Sequence, residues 1–401
     1  MKEFLKTVLL ILLGLSALYL LWRTWVYDNS IFGAAAPEPE IYAPARLDYA
    51  PASATPARCA VMRDGTRTGA QYDGETEEVY ESFRFLLAEA LSSAGQAAVM
   101  DEAAWRAALR RDGVYFEFAG TFPIALLAAW LSADSVLDGD LEAIGLIFGG
   151  GTAALIYSDA DGVFYKADTR AEAAAWPELP ELRPCAFAYE TEYAPALAAR
   201  QLLIEEESPR VNIAASSIPE IQKDASIYTH FLEKLAFSPA STSSYMDGET
   251  RVYVDVVNGQ ICEISPDGTI RFSSPQTPEG AHILAADVLL AWETVSVLEP
   301  ALGGAEFAVF RVAQTDGSTV VELAWMIGGL PALLEPAVAE VENGVIRRIV
   351  LKLYRVAAGE EETAPLPLKQ AIAMIPGGGE ARLDLRYSME DGGRAVWAVR
   401  S

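Results

Sequence analysis

The spacing of apolar residues along the chain predicts amphipathic helices separated by strands. In the segment 75–91, the apolar residues Val79, Phe83, Leu86 and Ala90 follow one another at intervals of four, three and four positions. This interval is the repeat of one helix face, because an α-helix has 3.6 residues per turn. The segment is therefore predicted to be a helix with one apolar face.

The region that follows predicts a second helix and then an antiparallel meander. Asp101 is a favourable N-cap, since its carboxylate can accept a hydrogen bond from a free backbone N–H of the first turn. Three apolar runs, Ala143–Phe148, Ala153–Tyr157 and Gly162–Ala167, are separated by glycine-containing turns. Short runs joined in this way are typical of neighbouring antiparallel strands.

The second half of the chain shows one pattern twice, a helix followed by several strands. Ser217 and Glu220 form a capping box that opens the first helix, and the second helix is predicted at Gly280–Leu298. Asn-Gly turns at 258–259 and 343–344 separate strands, because these residues accept the positive φ of tight turns. The helical positions predicted to be buried are Ile221, Ala225, Tyr228, Leu232, Leu235, Leu284, Val288, Ala291, Val295 and Leu298. The fold class is therefore predicted to be α+β, with each of these helices packed on an antiparallel sheet.

The strands of this half include an alternating one and a long one. Val252, Val254 and Val256 alternate with Arg251, Tyr253 and Asp255, which is the two-residue period of a strand. The last long strand before the C-terminal region is predicted at Val345–Arg355. After it, a short helix follows Pro367, and two strands close the chain.

An apolar segment near the N-terminus predicts a single membrane helix. Thr7–Trp22 contains no charged residue, and Arg23 can extend its side chain to the interface, so a helix there can cross a core of roughly 30 Å. Lys2 and Lys6 precede the segment and favour a cytoplasmic N-terminus with the body outside the cell membrane. The alternative is a cleaved signal peptide, for which residues 34–36 would supply the small-residue site.

Composition divides the chain further and restricts its function. The Pro-rich segment 177–184 indicates a domain boundary, and a net charge of −26 disfavours nucleic acid, whose phosphates require basic patches. Three cysteines are too few for a disulfide framework, although one bridge is possible. The predicted organisation is a transmembrane anchor at 1–28, a Pro/Ala-rich tether at 29–57, an N-terminal extracytoplasmic α+β domain at 58–176, a middle helix-plus-sheet domain at 185–276 and a C-terminal helix-plus-sheet domain at 277–401.

The chain offers little that resembles an active site. The two histidines, His230 and His282, belong to no metal or catalytic motif, and the glycines at 149–151 and 377–379 read as turns. Asp159 and Asp161 resemble the start of a calcium loop, but the later ligands of such a loop are missing, which favours a hairpin turn. We therefore predict no catalytic, cofactor-binding or metal-binding residues. A glycosidase-like carboxylate pair among the 56 acidic residues stays open.

The membrane segment itself contains the one candidate contact site. A cytoplasmic stub of about six residues is too short to signal alone, so any signal must pass through a partner. Gly14, Ser16 and Ala17 are small enough to let a second helix approach closely. The alternative is that the helix is only an anchor.

Several phrases of the chain resemble the YycH/YycI family, membrane-anchored regulators of an essential cell-wall sensor histidine kinase in Firmicutes. They are FLEKLAFSPASTSSYMDGETRVYVDVVNGQICEISPDGTIRFSSP (Phe231–Pro275), LAWMIGGLPALLEPAVAEVENGVIRRI (Leu323–Ile349) and the ending ARLDLRYSMEDGGRAVWAVRS. The similarity covers the anchor and residues 217–401, whereas residues 58–210 agree only in position and general makeup. The resemblance implies an extracytoplasmic binding role without catalysis or cofactor, a membrane histidine kinase as partner, and a homologous anchored protein beside it.

The sequence thus favours a non-enzymatic, single-pass membrane protein that modulates a two-component sensor kinase. The alternatives are an anchored wall-polymer hydrolase that uses carboxylates, and a structural component of an envelope assembly. A pocket with two carboxylates roughly 5–10 Å apart beside stacked aromatic side chains would favour the hydrolase. An exposed apolar patch would favour a binding protein.

Overall fold

Strands dominate the part of the chain that the structure describes. The computed structural model describes residues 56–400 except 73, 174–175, 206–208, 218–224, 277–281, 316 and 376–380, all within the unit Tyr49–Ser401. Its many strands and few helices confirm the coarse α+β class. Among these residues, none of the helices has the length and apolar character needed to span a membrane. The predicted membrane helix at Thr7–Trp22 lies outside the described residues.

The first half forms an antiparallel sheet, here called the N-terminal sheet, in the order β8-β2-β1-β4-β5-β6-β7-β3. Its helices are α1 (Gly74–Ser93), α2 (Glu102–Ala108) and α3 (Ile124–Trp130). The strands are β1 (Arg58–Arg63), β2 (Thr66–Gln71), β3 (Ala98–Met100), β4 (Gly113–Pro123), β5 (Asp140–Gly149), β6 (Thr152–Ser158), β7 (Phe164–Glu172) and β8 (Arg183–Phe187), with the short β9 (Leu202–Ile204) paired to β8.

Helix α1 packs its apolar stripe on β1, β2, β6 and β7 of this sheet. Val79, Phe83 and Ala90 of the predicted stripe are buried, whereas Leu86 is only half-buried. The predicted N-cap of α2 is also present, because Asp101 Oδ1 accepts a hydrogen bond from the N–H of Ala104 at 2.7 Å. The predicted meander corresponds to β5, β6 and β7.

The second half forms another antiparallel sheet, the C-terminal sheet, in the order β11-β12-β13-β14-β19-β18-β16-β15. Two helices accompany it, α4 (Ala225–Lys234) and α5 (Leu284–Ser296). The strands are β11 (Thr242–Asp247), β12 (Thr250–Asp255), β13 (Gln260–Ile264), β14 (Thr269–Ser273), β15 (Ala305–Thr315), β16 (Ser318–Ile327), β17 (Leu330–Pro331, beside β16), β18 (Ala337–Glu342) and β19 (Val345–Lys352); β10 (Arg210–Ser217) lies outside this sheet.

This sheet is built from two blocks of one helix and four meandering strands. The blocks meet where β14 pairs with β19, with Phe272 opposite Ile349. The predicted boundary between residues 276 and 277 therefore runs through one continuous sheet. On α5, Val288, Ala291, Val295 and Leu298 are buried as predicted, and Leu284 is half-buried. On α4 and just after it, Tyr228, Leu232 and Leu235 are buried. Ile221 and Glu220 lie outside the described residues, and Ser217 ends β10.

Both helices lie on the same face of the C-terminal sheet. Gln260 Nε2 donates to the carbonyl of Leu235, just past α4, at 3.0 Å, and Thr319 Oγ1 donates to Asp287 of α5 at 3.3 Å. One row of opposed side chains crosses this face and is buried in every strand from β13 to β15: Cys262, Phe272, Ile349, Ala339, Val321 and Val312.

The chain leaves this sheet earlier than the sequence predicts. The expected strand Val345–Arg355 ends at Lys352, and the buried Leu353 donates its N–H to the carbonyl of Gly268. A separate strand, β20 (Tyr354–Thr363), then pairs with β10. The last elements are α6 (Leu368–Ala373) and the hairpin of β21 (Arg382–Ser388) and β22 (Arg394–Arg400), near their predicted positions.

Candidate interaction surface

The face of the C-terminal sheet opposite the helices, here called the open face, is accessible to solvent. A row adjacent to the buried one crosses it, and each member is exposed or half-buried: Val254, Ile261, Ser273, Arg348, Glu340, Val320 and Ala313. Side chains alternate between the two faces of a strand. From β13 to β15, the residues of this row are each next in sequence to a residue of the buried row, so they lie on the opposite face of the sheet. The predicted valine strand follows the same rule, since Tyr253 shares its face with Cys262 while Val254 is on the open face.

The open face combines apolar side chains with paired charges. Arg311 Nη1 lies 3.7 Å from Glu322 Oε1 on the neighbouring strand. Two further opposite-charge pairs are directly opposed across strands, Glu263 with Arg271 and Glu340 with Arg348. These three arginines and three glutamates balance one another, although the whole chain carries −26. Around these three pairs the open face is thus close to neutral on a strongly acidic protein, so an acidic partner would meet less repulsion there.

The open face continues to an exposed edge at β11. Tyr245 lies opposite Val252, and the side chain of Tyr245 is 55% exposed. At the far end of the β11–β12 pair, Val256 and Val257 are 69% and 77% exposed. Ile261 on β13 is 38% exposed. Four apolar side chains are therefore exposed at this end of the sheet.

Asp255, the last residue of β12, connects the end of that strand to the segment that precedes β11. Its buried carboxylate accepts hydrogen bonds from Ser241 Oγ at 2.7 Å and from the backbone N–H of Ser238 at 3.2 Å. It also accepts from the N–H groups of Val257 and Asn258 and from Asn258 Nδ2. Burial would raise the pKa of Asp255, but these donors outweigh it and lower the pKa to about 2.

We expect this carboxylate to make folding stability depend on pH. The Asp255 pKa is about 2 in the folded protein and about 3.9 in an unfolded chain. The stabilisation is therefore complete above pH ~4 and is lost as the pH falls towards 2, a change of about 2–3 kcal/mol. Urea unfolding of wild type and Asp255→Asn from pH 6 to pH 2 measures it. The two free energies of unfolding should converge at low pH, and a constant gap would contradict the assignment.

The other sequence candidates lie elsewhere or outside the described residues. Gly14, Ser16 and Ala17 of the predicted partner-helix site belong to residues 1–55 and are not described. His230 is exposed on α4. Asp159 accepts hydrogen bonds from the N–H of Val163 and the hydroxyl of Tyr165, the arrangement of a hairpin turn.

Cys59, Cys185 and Cys262 form no disulfide with one another. Burial raises the pKa of Cys185 and of Cys262 to about 12 in each case, so both stay protonated thiols. Within the described ranges, no cluster of three or more His, Cys, Asp or Glu side chains is arranged to hold a metal ion. A small cleft beside Arg67, Leu109 and Phe187 has a volume of about 10 Å³, room for a single water molecule.

His282 takes part in a contact that sequence reasoning missed. Its Nδ1 lies 2.9 Å from Asp287 Oδ2, and Asp287 also accepts from the N–H of Gly344 at 2.8 Å. Gln314 Nε2 lies 2.9 Å from His282 Nε2. The positive φ of Asn343, predicted from the Asn-Gly turn, brings the Gly344 N–H to this carboxylate. The cluster joins the start of α5 to the turn between β18 and β19.

Several buried carboxylates belong to an ion network between the N-terminal sheet and the C-terminal hairpin. Arg58 Nη1 lies 3.2 Å from Glu117 Oε2, and its Nη2 lies 3.2 Å from Asp384 Oδ1. Arg386 also pairs with Asp384, at 3.1 Å. Burial alone would lower the pKa of Arg58, but Tyr72 and the two carboxylates outweigh it and raise that pKa.

A second part of the network surrounds Glu142, which pairs with Arg382 and, at 3.1 Å, with Arg200. These residues come from β5, β21 and the segment before β9, so the network fastens the C-terminal hairpin to the N-terminal sheet. The arrangement acts as a structural clamp.

Comparison with known proteins adds one distant likeness. No protein-family model matches the chain, and no curated protein matches it. A crystal structure at 1.45 Å of an uncharacterized protein from Eubacterium rectale ATCC 33656 is similar over 48% of this chain and 73% of that chain, with a TM-score of 0.30 and 10% sequence identity. A likeness of that extent supports no statement about function.

Proposed function

We propose that the protein is a non-enzymatic regulator anchored in the cell membrane by Thr7–Trp22, with its body outside. In this proposal it modulates a membrane sensor histidine kinase of a two-component system for cell-wall homeostasis. The open face of the C-terminal sheet binds the partner, and Gly14, Ser16 and Ala17 contact it within the membrane. The resemblance to the YycH/YycI family and the short cytoplasmic stub support the choice of partner.

The observation that carries the proposal is the open face. A sheet that packs helices on one side only presents its other side as a broad platform. Here that side has Val254, Ile261, Val320 and other apolar residues between balanced charges, at the spacing of adjacent strands. Such a mixture of apolar area and complementary charge is typical of non-obligate protein interfaces.

Proximity labelling in native cells tests the proposal. The variant combines Ile261→Glu and Arg348→Glu, both exposed on the open face. The matched control is Phe85→Glu, because Phe85 is 87% exposed on α1, away from this sheet. Wild type and control should label a sensor histidine kinase, and the double variant should label it about ten-fold less, as expected when interface hot spots are lost. Unchanged labelling would remove the open face from the interface. Turnover of a wall polymer by the purified protein would overturn the non-enzymatic assignment.

A further inference from the structure

We propose that β11 is a self-association site, where two copies of this chain pair antiparallel and continue their C-terminal sheets into one. Among the described residues, β12 is the only strand that pairs with β11, so the other edge of β11 has no neighbouring strand. The opposite end of the sheet differs, since β15 meets β4 of the N-terminal sheet there. Five of the six residues of β11 are exposed.

The hydrogen-bond pattern shows which groups of β11 point away from the sheet. The N–H of Thr242 donates to Ser238, and the N–H of Val256 donates to Ser241. Bonded and non-bonded pairs alternate along an antiparallel ladder, so Ser243 and Tyr245 bond to β12. Ser244 and Met246 therefore direct their N–H and C=O groups to the open edge.

These two residues set the register between copies. A pairing that uses both puts Ser244 opposite Met246 of the second copy and Tyr245 opposite Tyr245, on the two-fold axis. The two tyrosine side chains then cover each other on the open-face side, and Tyr245 and Met246, now 55% and 54% exposed, lose much of that exposure. An interface of this kind is isologous, so it closes as a dimer.

Charge argues for a second copy at this edge. No charged residue occurs between Lys234 and Asp247, in a chain of net charge −26. Exposed edge strands usually carry charges that prevent pairing, and β11 carries none before its last residue. In the register above, Asp247 lies opposite Ser243 of the second copy, so no like charges face each other. The uncharged stretch lets two acidic molecules meet edge to edge.

Disulfide cross-linking of the full chain in its native membrane tests this register. Directly opposed residues of a non-hydrogen-bonded pair have Cα atoms about 4.5 Å apart, within disulfide range. Under mild oxidation, Tyr245→Cys should form a covalent dimer. Val257→Cys is the control, since Val257 is 77% exposed but outside β11. It should form at least ten-fold less dimer, as should the wild type with its own cysteines.

A second variant distinguishes cross-links that depend on strand pairing from cross-links formed in random encounters between molecules. Ser244→Pro removes an N–H that β12 does not use, and proline is tolerated at such edge positions. Added to Tyr245→Cys, it should reduce the dimer at least ten-fold while the melting temperature changes little. Equal cross-linking by Val257→Cys, persistence of the dimer with Ser244→Pro, or linkage of Tyr245→Cys to a different protein would each overturn the proposal. None of these three outcomes would contradict the proposed binding of a partner to the open face, because that proposal is tested with Ile261→Glu and Arg348→Glu.

Discussion

Replacing Arg58 by alanine is expected to lower the free energy of unfolding by about 3–5 kcal/mol. Arg58 is buried and neutralises Glu117 and Asp384, and its Nη2 donates to the carbonyl of Leu383 at 2.7 Å. Its removal leaves the buried Glu117 without its ion-pair partner and leaves Asp384 with its pair to Arg386. Denaturant unfolding measures the loss.

The same strand supplies the control for this experiment. Arg63 also ends in an ion pair, with Asp64 at 3.8 Å, but the two side chains are 54% and 88% exposed. Arg63→Ala removes this exposed pair and a contact of the guanidinium with the Trp176 ring at 5.5 Å, so it should change stability by no more than about 1 kcal/mol. Equal effects of the two substitutions would show that the buried network does not clamp the C-terminal hairpin.

Asp287→Ala is expected to have the second largest effect, about 2–4 kcal/mol. The buried carboxylate accepts from the Gly344 N–H and from the buried Thr319 hydroxyl, and it lies 2.9 Å from His282 Nδ1. A buried donor left without an acceptor costs about 1–3 kcal/mol. Thermal unfolding compares it with Glu293→Ala on the same helix. Glu293 makes a half-exposed pair with Lys234 at 3.4 Å, so its loss should be near neutral. A small effect of Asp287→Ala would mean that water replaces the lost acceptor.

Local features of the fold follow directly from the sequence. The capping side chain of Asp101, the positive φ at Asn343 and the buried stripe of α5 each depend on residues within one or two turns of the chain. Local patterns of this kind determine where a helix or turn begins and which face is apolar.

Long-range features could not be predicted in the same way. The pairing of β14 with β19 and the contact between Arg58 and Asp384 join residues far apart in sequence, and nothing local distinguishes them. Leu353 has the sequence character of a strand residue, yet its N–H donates to the carbonyl of Gly268, and β19 ends before it. For the candidate surface, alternation reveals two faces, but only the position of the helices decides which one stays open.

The meeting of β14 and β19 also affects how the chain can fold during its synthesis. Within each block, successive strands are neighbours in sequence and close short loops, which favours fast formation. Phe272 cannot pair with Ile349 until that residue has been synthesised, so the two blocks join only late in synthesis. Until then the first block has two unpaired edges, β11 and β14, and β14 is the one that the finished protein covers. During that stage β14, which is central in the finished sheet, is an unpaired edge strand that can pair with other chains.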